Sequence, residues 1–363
     1  MTLLLPRNRT MLESNNWVRR ALSTRPHNIV GLWMLNEAAG AVAFDRGPRR
    51  NHGAIVGTTL GQPGVIPGHS SQLFDGLNDY VNIYSAGLAT HPDNELVTNG
   101  ALTADASWTK GTGWSIAGVA THAAGTGSDL SQATGMIAGQ SYTLVYTVSG
   151  RTAGTVTAKL GTTALTARST DATFTETGVN ATNTTLAFTA SADFDGSLDN
   201  VSLKAASGNG FSGSEGSVIL PVKMGAAGVW TDGTARTLLM LKTDANNYVS
   251  IARSTTNNRL VYSYVAGGTA ETVTADTSSL DWLWLGLTWD KANDAVKAYL
   301  NGAQTGATQT TLGSWIGSIA SATALIGAAT QTPTLVHSGY AALVLLSNAV
   351  MTPSEMAQLM RAT

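Results

Sequence analysis

Hydrolysis of a glycosidic bond needs two carboxylates flanking it, so the acidic side chains of this 363-residue sequence come first. The seven glutamates (13, 37, 95, 176, 215, 271 and 355) stand apart from one another, and outside residues 94–205 no Asp pair sits at alternating spacing within a convincing apolar strand. An enzyme of that kind is not expected. The six histidines (27, 52, 69, 91, 122 and 337) are as scattered, without metal-ligand spacing, and a sequence with no cysteine can have neither thiolate sites nor disulfides. The aromatic rings remain. The apolar face of a pyranose stacks on a ring while nearby polar groups bond its hydroxyls, and Trp108, Trp114 and Tyr146 are the candidates for glycan binding. The competing reading is that rings in strand-rich sequence pack inside. Trp33, Trp282 and Trp284 lie among leucines and read as core.

Hard cations take carboxylate and carbonyl oxygens, so Asp193-x-Asp195-x-x-x-Asp199 admits a calcium reading. Beside it stands the plainer reading of a solvated turn in which Asp199 caps a strand.

Charged residues are 12% of the chain, about half the roughly 25% usual in soluble domains, and Gly, Thr, Ala and Ser fill their place. That composition favours short strands joined by tight turns. A net charge of −2, from 21 basic and 23 acidic residues, gives no field to draw the protein onto nucleic acid or an anionic membrane. No apolar stretch approaches the ~18 residues of a membrane span. Leu3-Leu4-Leu5 stops at Pro6, short of the roughly 7 to 15 apolar residues of a secretory leader, so none is expected.

The elements that would position these residues fall into four segments. Residues 1–28 gather Arg7, Arg9, Arg19, Arg20 and Arg25 around a short helical stripe of Trp17, Val18 and Leu22, and read as an arm that anchors on a partner subunit or, more plainly, as a loose terminus. From Ile29 short apolar runs are cut by Gly and Asn, as in strands and turns. The flavour changes near residue 94 and again at the linker Ala205-Ala206-Ser207-Gly208-Asn209-Gly210, so a separate domain is expected over 94–205. Asn301-Gly302 supplies the positive φ angles of a two-residue hairpin turn. Thr352, Pro353 and Glu355 open a terminal helix with Met356, Leu359 and Met360 as its apolar stripe.

The runs Val30-Gly31-Leu32-Trp33-Met34-Leu35-Asn36-Glu37 with Gly40 and Asp45, and Leu73-Phe74-Asp75-Gly76 with Asp79-Tyr80-Val81, carry a family likeness. So do Trp284 to Asp290 with Val296 to Gly302, and Ile326-Gly327 through Gly339 to Leu343-Val344-Leu345. Residues 29–90 and 208–363 together resemble the laminin-G and concanavalin-A-like lectin/glucanase superfamily. The segment between them resembles jelly-roll carbohydrate-binding modules, on Glu95 to Gly100 with Trp108 and Trp114, Ala138 to Thr143, and Asp195 to Leu203. The resemblance implies an all-β fold: a concanavalin-A-like antiparallel β-sandwich (jelly roll) interrupted by a second, inserted β-sandwich, with a short N-terminal arm and a short C-terminal helix.

Related modules hold structural calcium near the equivalent of Asp199, which would make Glu95 and Asn99 its companions; no other cofactor is implied. The combination is similar to structural and host-attachment proteins of tailed bacteriophages. It implies a non-enzymatic virion protein, a capsid decoration, head fibre or tail component, on the particle exterior. The arm would bind other virion proteins, the sandwiches a host-surface glycan, and the whole would form a homo-oligomer. The alternative is a secreted polysaccharide-binding or polysaccharide-degrading accessory protein. A third reading makes the folds purely architectural.

Overall fold

The computed structural model describes residues 9–206, 208 and 210–361, with side chains from residue 17 onward in the first helix. The chain divides into two compact units. One comprises the chain up to Ala89, Asn209–Trp315 and the chain from Ile319; the other comprises Thr90–Gly208 with Ile316–Ser318. The inserted unit is thus a few residues wider than 94–205 and takes in a distant tripeptide, whose Gly317 amide donates to the Glu95 carbonyl at 2.6 Å.

The larger unit is an antiparallel sandwich. Its nine-stranded sheet runs Ala303–Gln309, Ala295–Leu300, Leu283–Asp290, Glu215–Met224, Ser338–Ala341, Ser70–Asp75, Thr59–Pro63, with Val344–Ser347 bridging Glu215–Met224 to Ile29–Trp33. Its eight-stranded sheet runs Val42–Ala43, Gly53–Val56, Tyr80–Asn82, Ala324–Ile326, Arg236–Asp244, Asn247–Arg253, Arg259–Ala266, Thr269–Asp276. Alternation turns Leu220, Leu285 and Trp289 of the first sheet and Leu239, Val249 and Tyr262 of the second into one shared core. The hairpin closes where the sequence places it, with Leu300 opposite Ala303 and φ of 52° at Asn301 and 84° at Gly302.

Strand Leu283–Asp290 is buried on both faces up to Trp289, and two helices cover the outer one at Trp284 and Gly286. Thr352 and Glu355 form a capping box with Pro353 in the first turn of the C-terminal helix Pro353–Leu359. That helix seats on Gly286, where a methyl group would lie 2.4 Å from Met356 Cε and 2.9 Å from Met360 Sδ. The N-terminal helix Arg9–Thr24 lies beside it. Trp17 is buried, its ring centroid 5.8 Å from that of Trp284 and its indole N–H donating to the Leu359 carbonyl at 3.0 Å. Arg20 donates to the Arg361 carbonyl at 3.2 Å, and both guanidinium arms of Arg25 reach Glu355 at 2.9 Å.

Trp17 and Arg20, two of the residues expected to anchor on a partner, hold the helix to its own sandwich. Arg19 is exposed. Arg7 and the side chain of Arg9 lie outside the described residues.

The inserted unit is a second antiparallel sandwich of two five-stranded sheets. One runs Thr163–Ala164, Val156–Leu160, Thr185–Ala190, Ser128–Ala133, Thr109–Lys110, and the other Ala172–Asn180, Ser141–Ala153, Asp195–Ala205, Ala120–His122, Trp114–Ile116. Leu130, Leu144, Val156, Phe188, Leu198 and Leu203 fill the space between them.

Candidate functional site

The three rings expected to face a sugar are corrected to packing residues of the inserted unit. Strand Ser141–Ala153 points Tyr142, Leu144, Tyr146 and Val148 inward, and Tyr146 is fully buried with its ring centroid 5.1 Å from Phe188 and 5.5 Å from Phe174. Trp108 is buried 6.2 Å from Phe188, its N–H donating to the Asn99 carbonyl at 3.1 Å. Trp114 packs edge-on against His122 at 5.0 Å, its N–H 3.3 Å from the Ser128 carbonyl. None presents an open face. The outward positions of these sheets hold hydroxyls instead, such as Thr147 on Thr173 at 2.9 Å and Thr121 on Ser197 at 3.1 Å.

Glu95, Asn99 and Asp199 each hold local hydrogen bonds. Glu95 accepts from the amides of Leu96 (3.0 Å), Val97 (3.0 Å) and Leu203 (2.8 Å) and from the Ser202 hydroxyl (2.5 Å), tying the start of the unit to its last strand. Asn99 donates to the carbonyls of Ala104 and Ala106 at 2.7 and 3.0 Å, and Asp199 accepts from the Asn200 amide at 2.7 Å. Among the described residues no three His, Asp or Glu side chains are grouped to hold a metal ion.

The larger unit offers a different surface. Eight of the nine tryptophans are buried; Trp282 is the exception. It was expected in the core, yet residues 282, 284, 286 and 288 share the outer face of their strand, and the helical cover over Trp284 stops short of Trp282. The neighbours follow from register. Lys223 pairs with Tyr340 and Tyr340 with Leu73, while Lys223 stands one step beyond the Val222–Leu283 pair, beside Trp282. Trp282, Lys223, Tyr340 and Leu73 therefore form one row across four adjacent strands, about 14 Å long at the usual strand spacing. All four are partly exposed. The Trp282 and Tyr340 ring centroids are 6.4 Å apart and inclined at 58°, and Lys223 Nζ lies 5.9 Å from the Tyr340 centroid.

No protein-family profile matches the sequence, and no curated protein matches it. Among solved structures, the chain is similar to domain 4 of AbnA, a GH43 extracellular arabinanase from Geobacillus stearothermophilus in complex with arabinotriose. There the identity is 20%, over 41% of this chain and 67% of that one, with a TM-score of 0.33. The Ruminococcus gnavus IT-sialidase CBM40 bound to α2,3-sialyllactose is 14% identical over 41% of this chain and 83% of that one, with a TM-score of 0.33. The botulinum neurotoxin type G receptor binding domain is 10% identical over 40% of this chain and 38% of that one, with a TM-score of 0.31.

Six large hydrophobic side chains are exposed among the described residues, and three of them, Leu77, Leu280 and Leu335, sit in the segments leading to or from the strands of the row. The row, with an ammonium set between two rings, can take a ligand that has apolar faces and hydroxyl edges. Trp282 could have been found in the sequence by its period-two relation to Trp284, which puts both on one face; which of the two is covered depends on the helices.

Proposed function

We propose that the protein is a non-enzymatic carbohydrate-binding β-sandwich protein whose ligand lies across Trp282, Lys223 and Tyr340. The observation that carries this reading is the partial exposure of Trp282 beside Tyr340 in a chain that buries every other tryptophan. Stacking on the two rings and hydrogen bonds from Lys223 match the mixed character of a sugar. Asp75, the acid closest to the row along its strand, is engaged by the Leu77 amide at 2.8 Å and faces Ser338 across the ladder, and the neighbouring Asp79 carboxylate is buried and taken up by the Asp75 amide at 2.8 Å. The finer reading is a lectin-like component on the exterior of a bacteriophage particle, and the sequence resemblance supports it.

Glycan-array binding of the full chain is expected to fall by about tenfold or more in Trp282→Ala, because a stacked ring contributes on the order of 1.5 kcal/mol beyond its area, while the urea midpoint stays put. Unchanged binding would sink the platform. Immunogold labelling of purified particles tests the location, and an unlabelled particle removes it.

A further inference from the structure

Beyond the helical cover, at the far end of strand Leu283–Asp290, a cleft of about 260 Å³ opens on the same outer face. Thr288, Asp290, Asn293, Lys297, Tyr299 and Met351 line it. Its Tyr299 is 1% exposed, and the phenol oxygen has no hydrogen-bond partner of normal geometry. Burial pushes that phenol up in pKa, and the nearby Thr288 hydroxyl offsets this in part. A buried hydroxyl without a partner is costly, and a ligand that supplies the partner recovers that cost.

Charge narrows the class of ligand. Lys297 makes no ion pair among the described residues. Asp290 is already engaged by Asn293, through the amide at 3.0 Å and the side chain at 2.7 Å, so its remaining lone pairs can accept hydroxyls. The volume lies below the roughly 300 Å³ at which pockets for drug-sized ligands begin, which limits the occupant to single-ring size. We infer that this cleft binds a carboxylate-bearing, hydroxylated ring of the uronic-acid class, with Lys297 on the carboxylate, Asp290 on a ring hydroxyl, and Tyr299 completing a hydrogen bond to the ring. The ring can come from free sugar acid or from the end of an acidic polysaccharide. The site shares no residue with the Trp282 row and stands without it.

Titration of the full chain by amide NMR tests this, with glucuronate, glucose and an oligouronide as probes. Glucuronate should shift the Lys297 and Met351 amides saturably, and glucose should bind at least about tenfold more weakly, as the loss of a charge-assisted hydrogen bond requires. Lys297→Met should weaken glucuronate by a similar factor. Tyr299→Phe should weaken it less while leaving the urea midpoint unchanged or higher, a split that a purely structural hydroxyl would not produce. Tighter binding of the oligouronide identifies a chain end, and equal binding identifies the free acid. Trp282→Ala should change none of this, so failure here and failure of the stacking row are told apart. Absence of saturable shifts, equal affinity for glucose and glucuronate, or full affinity in Lys297→Met overturns the inference.

Discussion

His337 sits fully buried against Phe74, the ring centroids 5.6 Å apart, with Nε2 3.4 Å from the Tyr340 carbonyl and Nδ1 without a partner. Burial pushes its pKa down to about 4; the Tyr340 carbonyl works against that shift and Arg236 adds to it. The unfolded chain takes up this proton near pH 6.5 and the folded one only near 4, so stability is whole above about 6.5 and drains as pH falls to 4, by up to about 3 kcal/mol. His337→Gln should flatten the urea midpoint over that range relative to the parent. His69 and His91 are also lowered by burial, and the subtraction removes their contribution. An unchanged pH profile would mean that the imidazole is hydrated when folded. Single residues were also where the sequence misled. The alternation of Tyr142, Leu144, Tyr146 and Val148 pointed to the core, and the sugar-stacking reading of Tyr146 set that pattern aside.

The N-terminal helix shows what an element can and cannot announce. Its stripe of Trp17, Val18 and Leu22 declares a face that must be covered, but the stripe does not name the cover, and here it is the chain's own C-terminal helix and Trp284. Glu355 joins the two helices, holding Arg25 while it completes the capping box with Thr352. Two substitutions should separate packing from charge. Trp17→Ala removes a buried ring and should cost about 3 kcal/mol or more, whereas Arg25→Met breaks a pair that is partly exposed and should cost about 1 kcal/mol. Hydrogen exchange over residues 9–24 reads both. The idea fails if the helix amides exchange equally fast in the parent and in Trp17→Ala, since the helix would then be unfastened already.

At the scale of the whole molecule, the break in strand character near residues 94 and 205 was legible because large apolar side chains give way to Thr, Ser and Gly and then return. The pairing of Ile316–Ser318 with Glu95 was not, since nothing local marks a tripeptide that leaves its own unit. The way the insert is attached makes a further expectation. The Phe211 amide donates to the Leu88 carbonyl at 2.8 Å, so the two chain ends that carry the insert meet within the larger unit. Closing so small a gap costs little loop entropy, and each unit has a core of its own. A variant with residues 91–208 replaced by a short Gly-Ser link should therefore keep a cooperative thermal transition. Its midpoint should drop by only a few degrees, the part owed to Ile316–Ser318 losing Glu95. It should also retain whatever glycan affinity the Trp282 row has. Near-ultraviolet circular dichroism decides the matter: if the tryptophan signal of the shortened protein is lost, the two parts of the larger sandwich need the insert to find each other.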